Sequence, residues 1–298
     1  MSALWVSRAL EFLQFEYAFV QYSALSAVVV GVMCGISGVW MVLRGLSLVG
    51  DATAHATLPG LCLAFLLTGS SHSAVLMGGA LASGLCAMAV LHGLQRWGGT
   101  RPDSSLAVVL ASFFGLGIAL MQRVTGSPGA ARAGLQSFLL GNAASVTPAQ
   151  AWLLTGMMFT LIVLTLVFFR ALQFSTFDPS FARLSGFRPD RVRIATTALL
   201  AVVVVLAVRA EGLVLVSAML VLPASTALLV SRRLSTTLLI SGAMGGVCGF
   251  AGAWAGYIWQ GVATGPAMVV VAGLMFTFVA CGQALVAPQR NTAWRGGL

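Results

Sequence analysis

The sequence has no lysine: all sixteen of its Lys/Arg cations are arginines. That absence removes whole classes of chemistry. A Walker A phosphate loop places its lysine on the β- and γ-phosphates, and Schiff-base catalysis needs a lysine amine. This chain supplies neither by itself. Charge of either sign is scarce. Charged residues make up 8% and hydrophobic residues 59%, whereas a soluble domain carries about 25% charged residues to face water. Cys34, Cys62, Cys86, Cys248 and Cys281 all lie in apolar stretches and form no CxxC. They are expected to be small packing residues, not disulfides or zinc ligands. No HExxH pair occurs and no serine is partnered with His55, so an intramembrane hydrolase, which needs such a catalytic set, is the least favoured reading.

What is present is apolar sequence in long runs. Runs of about 20 such residues cross the roughly 30 Å of bilayer hydrocarbon. Nine segments qualify: Val20–Leu43, Ser47–Leu67, Ser73–Leu94, Ser105–Gln122, Ala149–Arg170, Val192–Val208, Leu213–Ser231, Thr236–Trp259 and Gly265–Val286. Runs such as Leu199–Val208 do not alternate, which argues against an outer-membrane barrel. The fold class is therefore an all-α polytopic membrane protein of eight or nine spans. The count turns on the break at Arg209–Gly212, where a re-entrant piece could replace a span.

The net charge of +9 resembles a nucleic-acid signal, but the cations flank spans and no basic cluster interleaves with aromatics. No nucleic-acid partner is expected; membrane lipid is. With nine spans, twelve of the sixteen arginines fall on one side. By the positive-inside rule that side is cytoplasmic. The C-terminus is then inside and the N-terminus outside, in a bacterial cytoplasmic membrane. Residues 1–18, with Trp5, Phe12, Phe15 and Tyr17 beside Glu11 and Glu16, are expected to form an interfacial segment, and no cleaved signal peptide is expected. Residues 19–287 form a single transmembrane domain and 288–298 a cytoplasmic tail.

The second span opens Gly50-Asp51-Ala52-Thr53-Ala54-His55-Ala56-Thr57-Leu58-Pro59-Gly60. Asp51 and His55 are four apart, so they share one face of a helix. Ionisable residues inside a span are costly unless paired or facing water, and so mark function by default. Carboxylate and imidazole suit Zn²⁺, Mn²⁺ or Fe²⁺. Two ligands do not make a cage; a second copy related by a two-fold axis would supply four. The plain alternative is an Asp–His pair that only bonds neighbouring helices. Pro59-Gly60 is expected to loosen the helix and free carbonyls.

Three other segments stand out. In the loop 176–191, Asp178 and Pro179 suit a helix start and Gly186 its stop, giving a short cytoplasmic-face helix that shows Phe177, Phe181 and Leu184. Pro223 should kink the seventh span. Glu211, beside Arg209, is either a first stop for an incoming cation or half of a salt-bridged turn at the outer face. His72 and His92 are expected to be interfacial residues, not ligands.

Together these segments resemble the ABC-3 family, the permease subunits of bacterial manganese, zinc and iron ABC importers. The resemblance is carried by Gly50–Gly60, by Phe138-Leu-Leu-Gly141-Asn142, by Phe177-Asp178-x-x-x-Ala182-x-x-x-Gly186, and by Gly212 to Ala224 with Ser217 and Pro223. It implies that Asp51 and His55 coordinate the transported divalent metal, two ligands from each half of a permease dimer. It implies that Phe177, Asp178, Phe181, Ala182 and Gly186 form the coupling helix that docks on the ATPase. It implies as partners a second permease subunit, identical or related, a cytoplasmic ABC ATPase dimer and an extracytoplasmic metal-binding protein. No permanently bound cofactor and no enzymatic activity of the chain itself are expected. Glu211 departs from the family pattern, in which that position is usually apolar. A secondary metal transporter needing no ATPase is the competing class.

Overall fold

The computed structural model of the chain describes residues 18–70, 72–99, 101–125, 146–259 and 263–286. Residues 1–17 of the expected interfacial segment 1–18, the Phe138–Asn142 motif and the expected tail 288–298 lie outside the described residues. Eleven helices occur among those described: α1 Ala18–Leu43, α2 Val49–Thr68, α3 Ser73–Trp97, α4 Pro102–Thr125, α5 Pro148–Val167, α6 Phe169–Phe177, α7 Pro179–Leu184, α8 Pro189–Glu211, α9 Leu213–Val230, α10 Leu234–Ile258 and α11 Thr264–Val286. Nine of them are long and coincide with the nine apolar segments.

Seven of the nine are long and apolar enough to cross a membrane on their own. The other two are α2, whose hydropathy is lowered by Asp51, His55 and the Thr, Pro and Gly around them, and the shorter α9. The chain is a polytopic helical membrane protein. The break at Gly212 divides two separate helices, since its φ of 99° is a conformation that suits glycine.

Chemistry at the ends explains the boundaries. Thr147 caps α5 reciprocally with Gln150, with Pro148 at the first helical position. At the end of α1, Gly45 has φ 66°, its N–H donates to the Val42 carbonyl at 3.0 Å, and the Leu46 N–H donates to the Met41 carbonyl at 3.0 Å. This is a Schellman stop. The fifth span ends earlier than the apolar run suggested. Phe168 leaves helical geometry at φ −96°, ψ 14°, so the chain from Phe169 onward forms a separate helix, α6.

Helices α1, α9, α10 and α11 pack as one group and α2, α3 and α4 as another, with α8 and α9 touching both. Glycine sets the closest approaches. A Cβ at Gly31 or Gly245 would collide with the other's carbonyl, and Gly35 faces the Ser241 carbonyl in the same way. In lipid, where apolar surface has no water to escape, such small-residue contacts drive association. The main core runs through both groups, with Met33, Leu61, Leu106, Met219, Leu220 and Met268 among its enclosed side chains.

Candidate functional site

Helix α2 is held on three sides. Gly50 lies so close to α9 that a Cβ would sit 2.5 Å from Leu220 Cδ1. Gly60 meets the Gly79 carbonyl of α3, and Leu58 and Pro59 meet Gly117 of α4. Ser83 of α3 donates to the Ala56 carbonyl at 2.7 Å. Thr53 and Thr57 turn their hydroxyls back onto the carbonyls of Val49 and Ala54, at 2.6 and 2.7 Å, so these buried hydroxyls need no partner from another helix. The helix runs unbroken through Pro59 and Gly60. The loosening expected there does not occur, because the ring of Pro59 is packed against α4. Pro59 still has no N–H to give the His55 carbonyl four residues earlier.

On the remaining face stand Asp51 and His55. The His55 Nε2 lies 3.5 Å from Asp51 Oδ1, and the side chains are 20% and 30% exposed respectively. That distance is too long for a good hydrogen bond, and His55 Nδ1 is enclosed without a partner. The imidazole is oriented instead by Phe114 of α4, edge-to-face with centroids 4.8 Å apart. Asp51 also lies in the first turn of α2, where a negative charge is favoured by the helix dipole. Among the described residues no group of three or more His, Cys, Asp or Glu side chains converges. The described residues bring two candidate ligands together and no third.

The segment around α7 forms as its composition suggests. Asp178 Oδ1 accepts from the Ser180 and Phe181 N–H groups at 3.0 and 2.9 Å, and Pro179 takes the first helical position. At the other end Gly186 has φ 83°, and the Phe187 N–H reaches the Ala182 carbonyl at 2.9 Å. Ala182 is fully buried toward the body, whereas Phe177, Phe181 and Leu184 are exposed, Leu184 by 88%. Phe174 steadies the unit from inside, 5.0 Å from the Phe181 ring.

Glu211 is not half of an exposed salt bridge. It is 4% exposed, and neither carboxylate oxygen has a hydrogen-bond partner. Arg209 donates instead to Met77 Sδ at 2.7 Å. Position 211 looks like a turn in sequence because Arg209, Glu211 and Gly212 are adjacent, but helix α8 continues through it and carries it inward. His72 occupies the N-cap position of α3 without a side-chain capping bond and His92 Nε2 pairs with Thr197 Oγ1 at 2.8 Å; neither approaches a ligand cluster.

A multi-pass helical bundle carrying an ionisable pair inside one span, with an exposed apolar helix between two others, is the class these observations define. The chain belongs to the ABC 3 transport family, which matches it over residues 16–283. It is 35% identical over 281 residues to the manganese transport system membrane protein MntC of Bacillus subtilis, covering 94% of this chain and 64% of that protein. It thus spans less than two thirds of that relative's length. It is 36% identical over 275 residues to the zinc transport system membrane protein TroC of Treponema pallidum, covering 92% of this chain and 91% of that protein. Its fold matches PsaBC from Streptococcus pneumoniae, solved in complex with Fab, with a TM-score of 0.78 and 28% identity over 92% of this chain and 95% of that one.

Proposed function

We propose that this chain is the membrane-spanning permease subunit of an ATP-driven importer of divalent transition metals. The observation that carries the reading is the Asp51–His55 pair, partly exposed on the one face of α2 that its neighbours leave open. Two donor atoms 3.5 Å apart, each at the roughly 2.1 Å usual for zinc with nitrogen or oxygen, subtend about 110° at the ion, close to tetrahedral. The pair is half a site. A second permease subunit, identical or related, presents the matching half across the pathway. The relatives named for manganese and zinc transport make those the first ions to test, with Fe²⁺ a third that the same ligands accept.

ATP hydrolysis belongs to a separate ATPase dimer, since the chain has no lysine for a phosphate loop. The exposed Phe177, Phe181 and Leu184, with Asp178, Ala182 and Gly186 shaping the helix that carries them, form the surface that meets it. An extracytoplasmic metal-binding protein delivers the ion. The end of the bundle bearing α7 and the C-terminus is cytoplasmic and the N-terminus lies outside. Glu211 meets an incoming cation only in a conformation that uncovers its carboxylate.

The test is uptake of ⁵⁴Mn²⁺ and ⁶⁵Zn²⁺ by membranes containing the assembled complex. Asp51→Ala and His55→Ala should each abolish uptake while the permease still co-purifies with its ATPase. Unchanged uptake in both variants rejects the assigned site, and transport by the chain alone in liposomes rejects the ATP-driven class.

A further inference from the structure

Arg44 closes α1 and stands at a crossing of the two elements that the proposed function assigns. In one direction its Nε donates to Thr176 Oγ1 at 3.1 Å, across 132 residues of sequence. Thr176 gives its own proton to the Leu172 carbonyl at 2.7 Å, so a lone pair of the hydroxyl is turned to Arg44. Phe177 and the Asp178 cap of α7 follow directly. In the other direction Arg44 begins the tight turn into α2. The Schellman bonds at Gly45 and Leu46 are followed by Val49 N–H to Leu46 O and Ala52 N–H to Leu48 O, both 3.0 Å. Asp51 lies within that first turn. A displacement of Thr176 therefore reaches Asp51 through one side-chain hydrogen bond and a hydrogen-bonded backbone turn.

The link is built to be breakable. Both Nη atoms of Arg44 and the Nε of Arg193 are enclosed and have no hydrogen-bond partner. Among the described residues no carboxylate pairs with either arginine. Burial, and after it the neighbouring Arg193 charge, push Arg44 down to about 10, which leaves it a cation at neutral pH. The charge of Arg193 is therefore felt at Arg44 with no paired carboxylate among the described residues to offset it. Apolar packing does little to replace the bond to Thr176. Helix α6 meets α1 through Trp40 and Phe169, edge-to-face at 6.4 Å, and through a small cluster of Leu172, Val39 and Trp40. Beside them lies a cavity of about 590 Å³ walled by Trp40, Met41, Phe168, Leu172 and Val192.

We propose that Arg44 and Thr176 are positioning residues whose hydrogen bond transmits movement of the coupling segment to the Asp51–His55 pair. The inference rests on the function proposed above. Its test uses the full complex in proteoliposomes, with ATP hydrolysis and Mn²⁺ uptake measured on the same preparation. Thr176→Val keeps the shape and removes the acceptor; Thr176→Ser keeps the hydroxyl.

Thr176→Val should lower Mn²⁺ taken up per ATP hydrolysed by about tenfold, the range expected for loss of a coupling contact. ATP hydrolysis and equilibrium Mn²⁺ binding should stay near wild type, and Thr176→Ser should restore the ratio. Arg44→Gln should give the same drop, and the double variant no further one, because both changes remove a single contact. An unchanged ratio in Thr176→Val, equal damage in Val and Ser variants, or multiplying losses in the double variant overturns the proposal. Should Thr176→Val not assemble, Arg44→Gln measured alone decides by the same ratio. Failure of the parent reading shows separately, as uptake that persists in Asp51→Ala and His55→Ala.

Discussion

The contact between α1 and α10 and the contact of α2 with α3 and α4 are made by the same device, glycine against backbone, yet they hold very different side chains. Along the first, Gly31 meets Gly245, Gly35 meets Ser241 and Gly249 meets Ala27, and neither helix carries an Asp, Glu, His or Arg. Along the second, Gly60 meets Gly79 and Gly117 meets Leu58 and Pro59, and the free face carries Asp51 and His55. Close approach makes a rigid wall in both places. In one it is used to hold the bundle together. In the other it holds the Asp51–His55 pair of the proposed site in a fixed position, as a preorganised site requires.

The largest effect should come from crowding the first seam. In Gly245→Val the new Cβ falls inside contact distance of the Gly31 carbonyl, and a backbone atom cannot swing aside as a side chain would. Overpacking costs about 1–3 kcal/mol and occasionally more, and here two helices of about seven turns each would have to part. The expected outcome is loss of folded protein, read as the monodisperse fraction on size-exclusion chromatography. A folded, transport-competent Gly245→Val would show that the seam does not carry the bundle.

A smaller effect is expected at the second contact, where it comes with its own control. Gly60→Ala places a methyl against the Gly79 carbonyl, whereas at Gly78, on the same partner helix, nothing lies within 4 Å of a new Cβ. Gly60→Ala should destabilise by about 1–3 kcal/mol and Gly78→Ala by less than about 0.5 kcal/mol, read as the shift in thermal unfolding in detergent. Because α2 must tilt to admit the methyl, Gly60→Ala should also reduce metal uptake. Equal shifts in the two variants would mean that α2 is not wedged.

Much of this was legible in sequence, for definite reasons. Nine apolar runs became nine long helices because hydrocarbon thickness and the need to satisfy every backbone group leave few alternatives. The Asp51–His55 spacing shows in any helix, and Asp178-Pro179 with Gly186 carries both stop and start chemistry for α7. What sequence did not show depends on contacts between distant segments. Glu211 is buried because α8 runs on past Arg209, which no local pattern announces. The break at Phe168 sits in an unbroken apolar run. The α1–α10 seam did leave a trace: Gly31 and Gly35 stand four apart, as do Gly245 and Gly249, the spacing of small residues on a packing face.

The smallest effect separates the two regions most cleanly. Each contact has one serine that donates to a carbonyl across the helix pair, Ser241 to Gly35 and Ser83 to Ala56, both at 2.7 Å. Interhelical hydrogen bonds in membranes are worth about 0.6 kcal/mol on average, so Ser241→Ala and Ser83→Ala should lower stability by similar small amounts. Their functional consequences should differ. Gly35 lies between two helices that carry no Asp, Glu, His or Arg, and Ser241→Ala should leave Mn²⁺ uptake at the wild-type level. Ala56 is bonded directly to His55, so losing the Ser83 bond frees the backbone that sets the imidazole's height. Ser83→Ala should therefore weaken uptake at limiting Mn²⁺ by a few-fold, with saturating uptake less affected, since a loosened ligand costs binding more than movement. Kinetics of uptake over a range of Mn²⁺ concentrations check this, and identical curves for both alanine variants would mean that the wall behind His55 is no more demanding than the seam between α1 and α10.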